Sequence, residues 1–392
     1  MHVDGGLERA WNGEAKTQRR VLVNALSAVL GGGVTVATRL VREIAVNHPH
    51  LQIVLVCSFD EVAEHGYPAN VEVVYRPDLI PRIPRWRWEQ RAQPGFAKTR
   101  AIDVILQLGG YLCFGTAIPQ VAVWQNPNVF TPPGIPRPLS EELLVRAQRI
   151  VQGWSMRRSA DNVFLTAKSI EMASRYWDMN TVPNRVVHSG VELLSGDPRA
   201  SAPLSNRENF ALAVGSTYVH KNYEAMIDAM AHYTEHRDDG LRLEIMGGGP
   251  NPDYFASLQK RIDDHGIADR VQLLGARPLE EVHQRMQQAR AYLVTSRLET
   301  FGLTLFEAMS NGLPVVASYA TCHPEVGGDA AVYCDPQNPA DIAEKLAQIV
   351  DDKALAETYR ERGFARLEDF TWSNSATGYV AALEAAQAVA SR

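Results

Sequence analysis

The chain has few cysteines, no long apolar run and no excess of positive charge. Its four cysteines include no Cys-x-x-Cys pair, which favours a reducing cytoplasm and argues against a structural zinc site. No run of about eighteen apolar residues is present, and the N-terminus lacks the layout of a signal peptide. The net charge of -6 excludes a general attraction to nucleic acid or to anionic membranes.

What the 392 residues do contain is enough chain for about two domains. Short β-branched runs alternate with helical stretches, which predicts α/β domains with parallel, doubly wound sheets. The predicted strands are 21–24, 52–57, 71–75, 104–108, 121–124, 163–166, 185–188, 210–214, 243–246, 271–274, 292–295, 315–317 and 331–333. Ligands of such sheets bind at the carboxyl ends of the strands, and two facing domains make a cleft.

A polar stretch over 192–208 interrupts this alternation and is interpreted as a hinge. It separates a first Rossmann-like domain, 21–191, from a second, 209–375. Residues 1–20 are polar, and we expect them to be largely disordered.

Two carboxylates, Glu299 and Glu307, flank a Phe-Gly near the end of the second domain. The segment predicts a buried strand over 291–296, a tight loop, and a helix from Leu303 onward. Gly302 lets the backbone approach a ligand closely, and the free N–H groups around Leu303 and Thr304 provide a place for a diphosphate. Carboxylates accept hydrogen bonds from hydroxyls, so the two glutamates suit a sugar and a ribose. A solvated acid and a helix-capping acid are the plainer alternative.

Lys221 follows the predicted strand 210–214 near the start of the next helix. This position predicts a lysine that points into the cleft. A cation there neutralises the charge that builds on a departing diphosphate, whereas the plainer interpretation is a solvated loop lysine.

The Glu299 to Glu307 segment resembles the E-x7-E motif of the retaining glycosyltransferases of family 4, which have the GT-B fold. The resemblance implies that Glu299 contacts the donor hexose and Glu307 the ribose. It assigns the phosphates to the backbone at 302–304, with Thr300 and Phe301 in the same donor loop, and it carries Lys221 over as the cation at the leaving group. It also implies that the last helix, 376–392, returns to the first domain.

Other segments resemble the same family. Gly32 and Gly33 look like its first glycine loop, which approaches the donor phosphates and the acceptor from the first domain, although a flexible turn is the alternative. Gly247 lies in a turn that lines the nucleotide pocket, and Arg277 is a candidate neighbour of the base. His188 to Glu192 resembles a structural turn before the linker.

Two positions depart from the family pattern. Ser216 stands where many members have an arginine, so either His220 is a second donor to the leaving group or that group relies on Lys221 and the backbone alone. Asn126 stands where many members have a histidine that touches the sugar. Gly110 and Asn126 are the candidates on the acceptor side.

The resemblance implies transfer of a hexose from a nucleotide diphosphate sugar to an acceptor hydroxyl, with retention, in glycan, cell-envelope polysaccharide or glycoconjugate biosynthesis. The expected acceptor is a sugar or a lipid-linked glycan. No cofactor, divalent metal or nucleic-acid partner is expected, and the expected location is the cytoplasm or the cytoplasmic membrane face. A nucleotide-sugar epimerase and a non-catalytic sugar-nucleotide-binding subunit remain alternatives.

Three further patterns have plainer explanations. His232 to His236 fits an H-x-x-E-H zinc pattern but has no evident third ligand. The basic-aromatic segment 82–91 suggests weak peripheral membrane contact, with a helix carrying exposed arginines as the favoured alternative. The apolar stripe of the helix predicted over 141–158 is assigned to the core.

Overall fold

The chain folds into two parallel sheets, each covered by helices. The computed structural model describes residues 19–29, 31–131, 135, 139–191, 203–249 and 251–390. The first sheet has the strand order β3-β2-β1-β4-β5-β6-β7. Its strands are β1 (Arg19–Asn24), β2 (Leu51–Cys57), β3 (Val71–Tyr75), β4 (Val104–Gln107), β5 (Gln120–Trp124), β6 (Asp161–Phe164) and β7 (Asn184–Val186).

The second sheet has the strand order β10-β9-β8-β11-β12-β13. Its strands are β8 (Phe210–Val214), β9 (Arg242–Met246), β10 (Val271–Gly275), β11 (Ala291–Val294), β12 (Val315–Ser318) and β13 (Ala331–Cys334). Both orders reverse direction at a central strand, which is the topology of doubly wound sheets. The predicted α/β, GT-B-like fold class is confirmed, and each predicted strand overlaps an observed one.

Helices connect these strands on both faces of each sheet. Those of the first half are α1 (Gly32–Asn47), α2 (Asp60–Ala63), α3 (Arg82–Arg91), α4 (Gln93–Thr99), α5 (Leu139–Arg158) and α6 (Ala167–Ser174). Those that follow are α7 (Tyr223–Glu235), α8 (Pro252–His265), α9 (Leu279–Gln288), α10 (Leu303–Ser310), α11 (His323–Gly327), α12 (Pro339–Asp351), α13 (Lys353–Leu367) and α14 (Trp372–Ala390). None of the described helices is both long and apolar enough to cross a membrane.

The ends of the first domain differ from the boundaries expected from the sequence. The expected disorder of 1–20 falls mostly on residues outside the described ones, but Arg19 and Arg20 belong to β1. Most of the expected hinge also lies outside the described residues, and 204–206 form a short 3-10 helix.

The last helix packs on the first sheet. The side chains of Tyr379 and Leu383 on α14 are buried in the same core as Leu40 of α1 and Val104 of β4. A Cβ on Gly190 would lie 2.4 Å from the ring of Trp372, so a larger residue there would push α14 away. The chain therefore crosses back to its first half.

The assignment of the apolar stripe of α5 to the core is wrong. Leu143, Ile150 and Trp154 are each more than half exposed, whereas Val145 and Met156 are buried. The side chains that pack inward also include polar ones such as Gln152 and Ser155. The buried face of α5 is therefore rotated away from its most apolar face, part of which, including Leu144 and Val151, lines a cavity instead.

Candidate active site

A cavity of about 780 Å³ lies between the two halves of the chain. Its walls come from both sheets, at the ends where the parallel strands stop, as the fold class predicts. The second-domain wall contains Lys221, Glu299 and residues 300–304, and the first-domain wall contains Gly32, Gly33 and parts of α3 and α5. The structure thus brings together most of the candidate residues named from the sequence.

Lys221 and Glu299 form an ion pair on the second-domain wall. Lys221 Nζ lies 2.6 Å from Glu299 Oε1, and the two side chains are only 16% and 12% exposed. Burial raises the pKa of Glu299, but Lys221 above all, together with the nearby His323 and His220, outweighs burial and holds that pKa below its ordinary value. An ammonium and a carboxylate are therefore held side by side, both charged, at the cavity wall.

The loop that carries Glu299 is anchored in the first domain. Leu298 is fully buried in an aromatic cluster of that domain, together with Trp124. Thr300 Oγ1 donates to the carbonyl of Gln125 at 2.8 Å, and Thr166 Oγ1 donates to the carbonyl of Thr300 at 3.0 Å. The position of the carboxylate between these two anchors therefore depends on both domains.

Gly302 directly precedes α10, at the cavity wall, and is the N-cap residue of that helix. Its φ of +80° is a left-handed conformation that favours glycine. The first N–H groups of a helix have no partner within it, so the start of α10 is suited to an anion. A Cβ on Gly32 would lie 2.8 Å from Leu303 Cδ1, which shows how closely the first glycine loop approaches this helix start.

Two candidates, Ser216 and Gly247, lie beside the cavity and outside its lining. Backbone hydrogen bonds join this edge of the sheet, from Gly247 N to Gly275 O at 2.8 Å and from Gly215 N to Met246 O at 3.0 Å. A Cβ on Gly247 would lie 1.8 Å from the carbonyl oxygen of Gly215, so that position requires glycine for packing. This accounts for Gly247 without a ligand.

His220, Arg277 and Glu307 also lie outside the lining. The carbonyl of His220 accepts from Arg297 N at 2.7 Å, which fixes the start of the Glu299 loop. Arg277 lies 3.5 Å from Glu281 in an exposed ion pair. Glu307 is half-buried on α10, one helical turn beyond the cavity wall.

The acceptor-side candidates have local roles. Asn126 is exposed at the cavity, and its Oδ1 accepts from Asn128 N at 3.0 Å, which caps a short 3-10 helix. Gly110 lies outside the lining, and its Cβ would lie 3.3 Å from the ring of Trp124. Its neighbour Gly109 lines the cavity instead.

His323 is a functional candidate that sequence reasoning missed. Its Nδ1 lies 2.8 Å from Ser318 Oγ, whereas its Nε2 is buried without a hydrogen-bond partner. A Cβ on Gly302 would lie 3.3 Å from that Nε2, so the ring lies directly behind the donor loop. Burial lowers the pKa of His323 to about 4, against a smaller opposing effect of Glu299. No spacing in the sequence pointed to this residue.

Glu325 joins the two halves of the chain at a second place that sequence reasoning missed. Its carboxylate accepts from the backbone N–H groups of Ala167, at 2.7 Å, and Lys168, at 2.9 Å. Both belong to the first turn of α6, where a negative charge is favourable.

Polar groups on the first-domain wall were also missed. Glu89 of α3 is 9% exposed and accepts from Asn24 Nδ2 at 3.1 Å. Burial raises the pKa of Glu89, with the hydrogen bond from Asn24 and the charge of Arg85 acting against it. Burial likewise raises the pKa of the neighbouring Tyr111 to about 12. A polar Asn24 at the end of an apolar strand was the signal available in the sequence.

Among the described residues, no group of three or more His, Cys, Asp or Glu side chains is placed to hold a metal ion. His236 Nδ1 lies 3.2 Å from the carbonyl of His232, at the end of α7. The four cysteines are buried and unpaired.

Residues 197–366 match the family model of the glycosyl transferases group 1. The O-antigen chain mannosyltransferase B of Escherichia coli is 31% identical over 171 residues, which cover 43% of this chain and 44% of that protein. The D-inositol 3-phosphate glycosyltransferase of Corynebacterium diphtheriae is 31% identical over 221 residues, 52% of this chain and 50% of that protein. The chain thus matches about half the length of these curated relatives.

Solved structures match nearly the whole chain. Sucrose-phosphate synthase from Thermosynechococcus elongatus superimposes with a TM-score of 0.73 at 16% identity, over 96% of this chain and all of that one. Anabaena HepE, solved with UDP and glucose, superimposes with a TM-score of 0.70 at 18% identity, over 94% of this chain and all of that one. At these identities the likeness establishes the fold.

The donor-loop motif, the two facing sheets and these matches agree. The chain therefore has the fold of the GT-B glycosyltransferases, and its residues 197–366 match the glycosyl transferases group 1 family.

Proposed function

We propose that the chain is a retaining glycosyltransferase of family 4, which moves a hexose from a nucleotide diphosphate sugar to an acceptor hydroxyl. The observation that carries this proposal is the buried Lys221–Glu299 pair, next to the start of α10 on the wall of a cavity shared by both domains. The four unpaired cysteines support a location in the reducing cytoplasm.

The donor lies along the second-domain wall. Its diphosphate binds the N–H groups at the start of α10, and Glu299 accepts hydrogen bonds from hexose hydroxyls. Glu307, one helical turn further, accepts hydrogen bonds from the ribose. Gly302 allows the backbone to approach the phosphates because it has no side chain.

Lys221 acts at the bond that breaks. As the bond between the anomeric carbon and the phosphate oxygen breaks, negative charge grows on the diphosphate, and the ammonium stabilises it. The acceptor oxygen attacks the same face of the sugar, so a new glycosidic bond forms with retention. The proton of the acceptor hydroxyl passes to the departing diphosphate oxygen, and no separate protein base is required.

The test begins with a thermal-shift panel of UDP, GDP, ADP and TDP sugars on the purified chain. A ligand that binds the folded state raises the apparent melting temperature. Because HepE was solved with UDP and glucose, UDP sugars are the first to measure. Nuclear magnetic resonance of the product then reports the anomeric configuration. Interconversion of the nucleotide sugar alone would establish an epimerase, and binding without turnover a non-catalytic subunit.

We further propose that catalysis requires no divalent metal, because Lys221 and the start of α10 supply the positive charge at the diphosphate. Activity is expected to survive EDTA. Loss of activity that magnesium or manganese restores would contradict this account of the site.

A further inference from the structure

Two helices of the first domain, α3 and α5, contribute side chains to its wall of the cavity. On α3, the side chains that line the cavity are Arg82, Ile83, Arg85, Trp86 and Glu89. Positions three, four and seven apart share one face of a helix, so these side chains form a single strip. On α5, a strip of the same spacing contains Leu144, Ala147, Gln148 and Val151. A ligand in the cavity therefore meets a cationic and apolar strip from α3 and a largely apolar strip from α5.

The solvent exposure of the α3 strip decreases along the helix. Ile83 is 72% exposed and Trp86 is 51% exposed, whereas Glu89 at the far end is almost fully buried. Leu144 of α5, which lines the same cavity, is 44% exposed. Exposed apolar side chains that are contiguous in a concave site mark a binding surface rather than an ordinary protein exterior. The mouth of the cavity is therefore suited to a hydrocarbon chain.

Two arginines lie beside this apolar surface. Each of the first two turns of α3 carries an arginine next to an apolar side chain, Arg82 beside Ile83 and Arg85 beside Trp86. Arg85 is partly fixed, because its Nη1 donates to the carbonyl of Leu26 at 3.2 Å. Guanidinium groups bind phosphate oxygens through paired hydrogen bonds. The strip therefore offers a phosphate site beside the apolar mouth of the cavity.

Glu89 provides the polar end of the strip. Its Oε1 accepts from Asn24, and its side chain lines the same cavity as Lys221 and Glu299. A buried carboxylate that faces a cavity is suited to accept hydrogen bonds from ligand hydroxyls.

We propose that this wall binds the acceptor as an anionic amphiphile, with a hydroxyl-bearing head at Glu89, a phosphate at Arg82 and Arg85, and a hydrocarbon chain between the α3 and α5 strips. The inference rests on the proposed function and narrows its acceptor to a phosphate-linked lipid carrier of a sugar. A free sugar would leave the arginines and the exposed apolar side chains of this wall without a role.

The test uses decyl phosphate as the probe, below its critical micelle concentration, with binding measured by isothermal titration calorimetry. Decyl phosphate is expected to bind at least tenfold more tightly than inorganic phosphate or the uncharged decyl glucoside, which has the same hydrocarbon chain. Arg82→Glu and Ile83→Asp are each expected to weaken its binding at least tenfold. Both residues are exposed, so both variants are expected to fold.

Matched controls place the same changes elsewhere. Lys98→Glu alters an exposed cation of the same domain outside the cavity, and Leu279→Asp alters an apolar side chain that is 65% exposed on α9. Neither is expected to change decyl phosphate binding. All four variants are expected to keep the affinity for the nucleotide sugar that the thermal-shift panel identifies.

Equal weakening in the controls, or equal binding of inorganic phosphate, would overturn the proposal. Binding to phosphatidylglycerol vesicles that Ile83→Asp abolishes, without any effect on decyl phosphate, would show a membrane-contact surface instead. Absence of nucleotide-sugar binding in the unaltered chain would contradict the proposed function, and that outcome is distinct because the probe itself contains no nucleotide.

Discussion

The two walls of the cavity are built in different ways. On the second-domain wall, the reactive groups are backbone N–H groups and a nearly buried ion pair, each fixed by neighbours in both domains. On the first-domain wall, most of the groups are side chains on helix surfaces, and Ile83 and Trp86 are more than half exposed.

This difference in how firmly the groups are fixed gives the two walls different functions. A group fixed before the ligand arrives loses little entropy on binding and can be aimed at charge that develops during reaction. An exposed strip of side chains can accept ligands of varied shape but cannot direct a bond-breaking step. We therefore expect changes on the second-domain wall to alter turnover and donor affinity, and changes on the α3 and α5 strips of the first-domain wall to alter acceptor affinity alone.

The largest expected effect is that of Lys221→Ala on turnover. Removing one preorganised group that stabilises the departing charge commonly lowers the rate about a hundredfold or more. The control is Lys260→Ala, which removes a lysine that is 74% exposed and far from the cavity. Turnover at saturating donor separates this effect from weaker binding. If only the Michaelis constant rose, Lys221 would be a contact of the bound donor, and the contrast between the walls would weaken.

Glu307→Ala is expected to weaken binding of the nucleotide sugar. Loss of a hydrogen bond to a charged group costs about 1.5 to 3 kcal/mol, which corresponds to about tenfold or more in the dissociation constant. Glu344→Ala removes an exposed glutamate on α12 and is the matched control. Calorimetric titration with the nucleotide sugar measures both variants. Since Glu307 lies outside the cavity lining, an unchanged affinity would confine the donor site to the Glu299 loop.

The stability of the second-domain wall is expected to depend on pH through His323. Its pKa is about 4 in the folded chain and 6.5 ordinarily, so between these values the unfolded chain binds a proton that the folded chain does not. The free energy of unfolding therefore falls as the pH falls below 6.5, by about 2 kcal/mol at pH 5 from this group. Glu299 keeps its charge over that range, because its pKa lies below its ordinary value.

Urea unfolding at pH 7 and pH 5 checks this expectation. The unaltered chain is expected to lose about 2 kcal/mol more than His323→Gln, in which the buried imidazole is absent. An equal loss in both proteins would mean that the imidazole is not held neutral behind the donor loop.

The fold was predictable from the sequence because most of its strands, the central ones above all, are buried on both faces. In such strands nearly every residue is apolar, as in Leu51–Cys57. A short apolar run in the sequence therefore indicates a strand, and it is not necessary to determine which of its faces packs on the core. Strand ends were less predictable: β1 begins at Arg19, where the side chains are already polar.

The second-domain wall was predictable for a related reason. Glu299, Gly302 and the start of α10 lie within a few residues of one another. One short segment of the sequence therefore contains most of the second-domain wall. His323 and Glu325 reach the same region from α11, and nothing local in their spacing indicates contact with residues so far away in sequence. The same limit hid Glu89, whose partner Asn24 is 65 residues distant.

The smallest expected effect tests the error about α5. Periodicity locates an apolar stripe on a helix, but it does not tell whether the protein covers that stripe or leaves it exposed. Leu143 is 57% exposed, so Leu143→Ala is expected to change the free energy of unfolding by less than about 0.5 kcal/mol. Val145, two residues away, is 6% exposed, and Val145→Ala is expected to cost about 2 kcal/mol because it removes buried methyl groups. Urea unfolding of the two variants compares them directly in one helix. If Leu143→Ala proved the more destabilising, the stripe would be covered by the protein, and the assignment of this stripe to the core would stand.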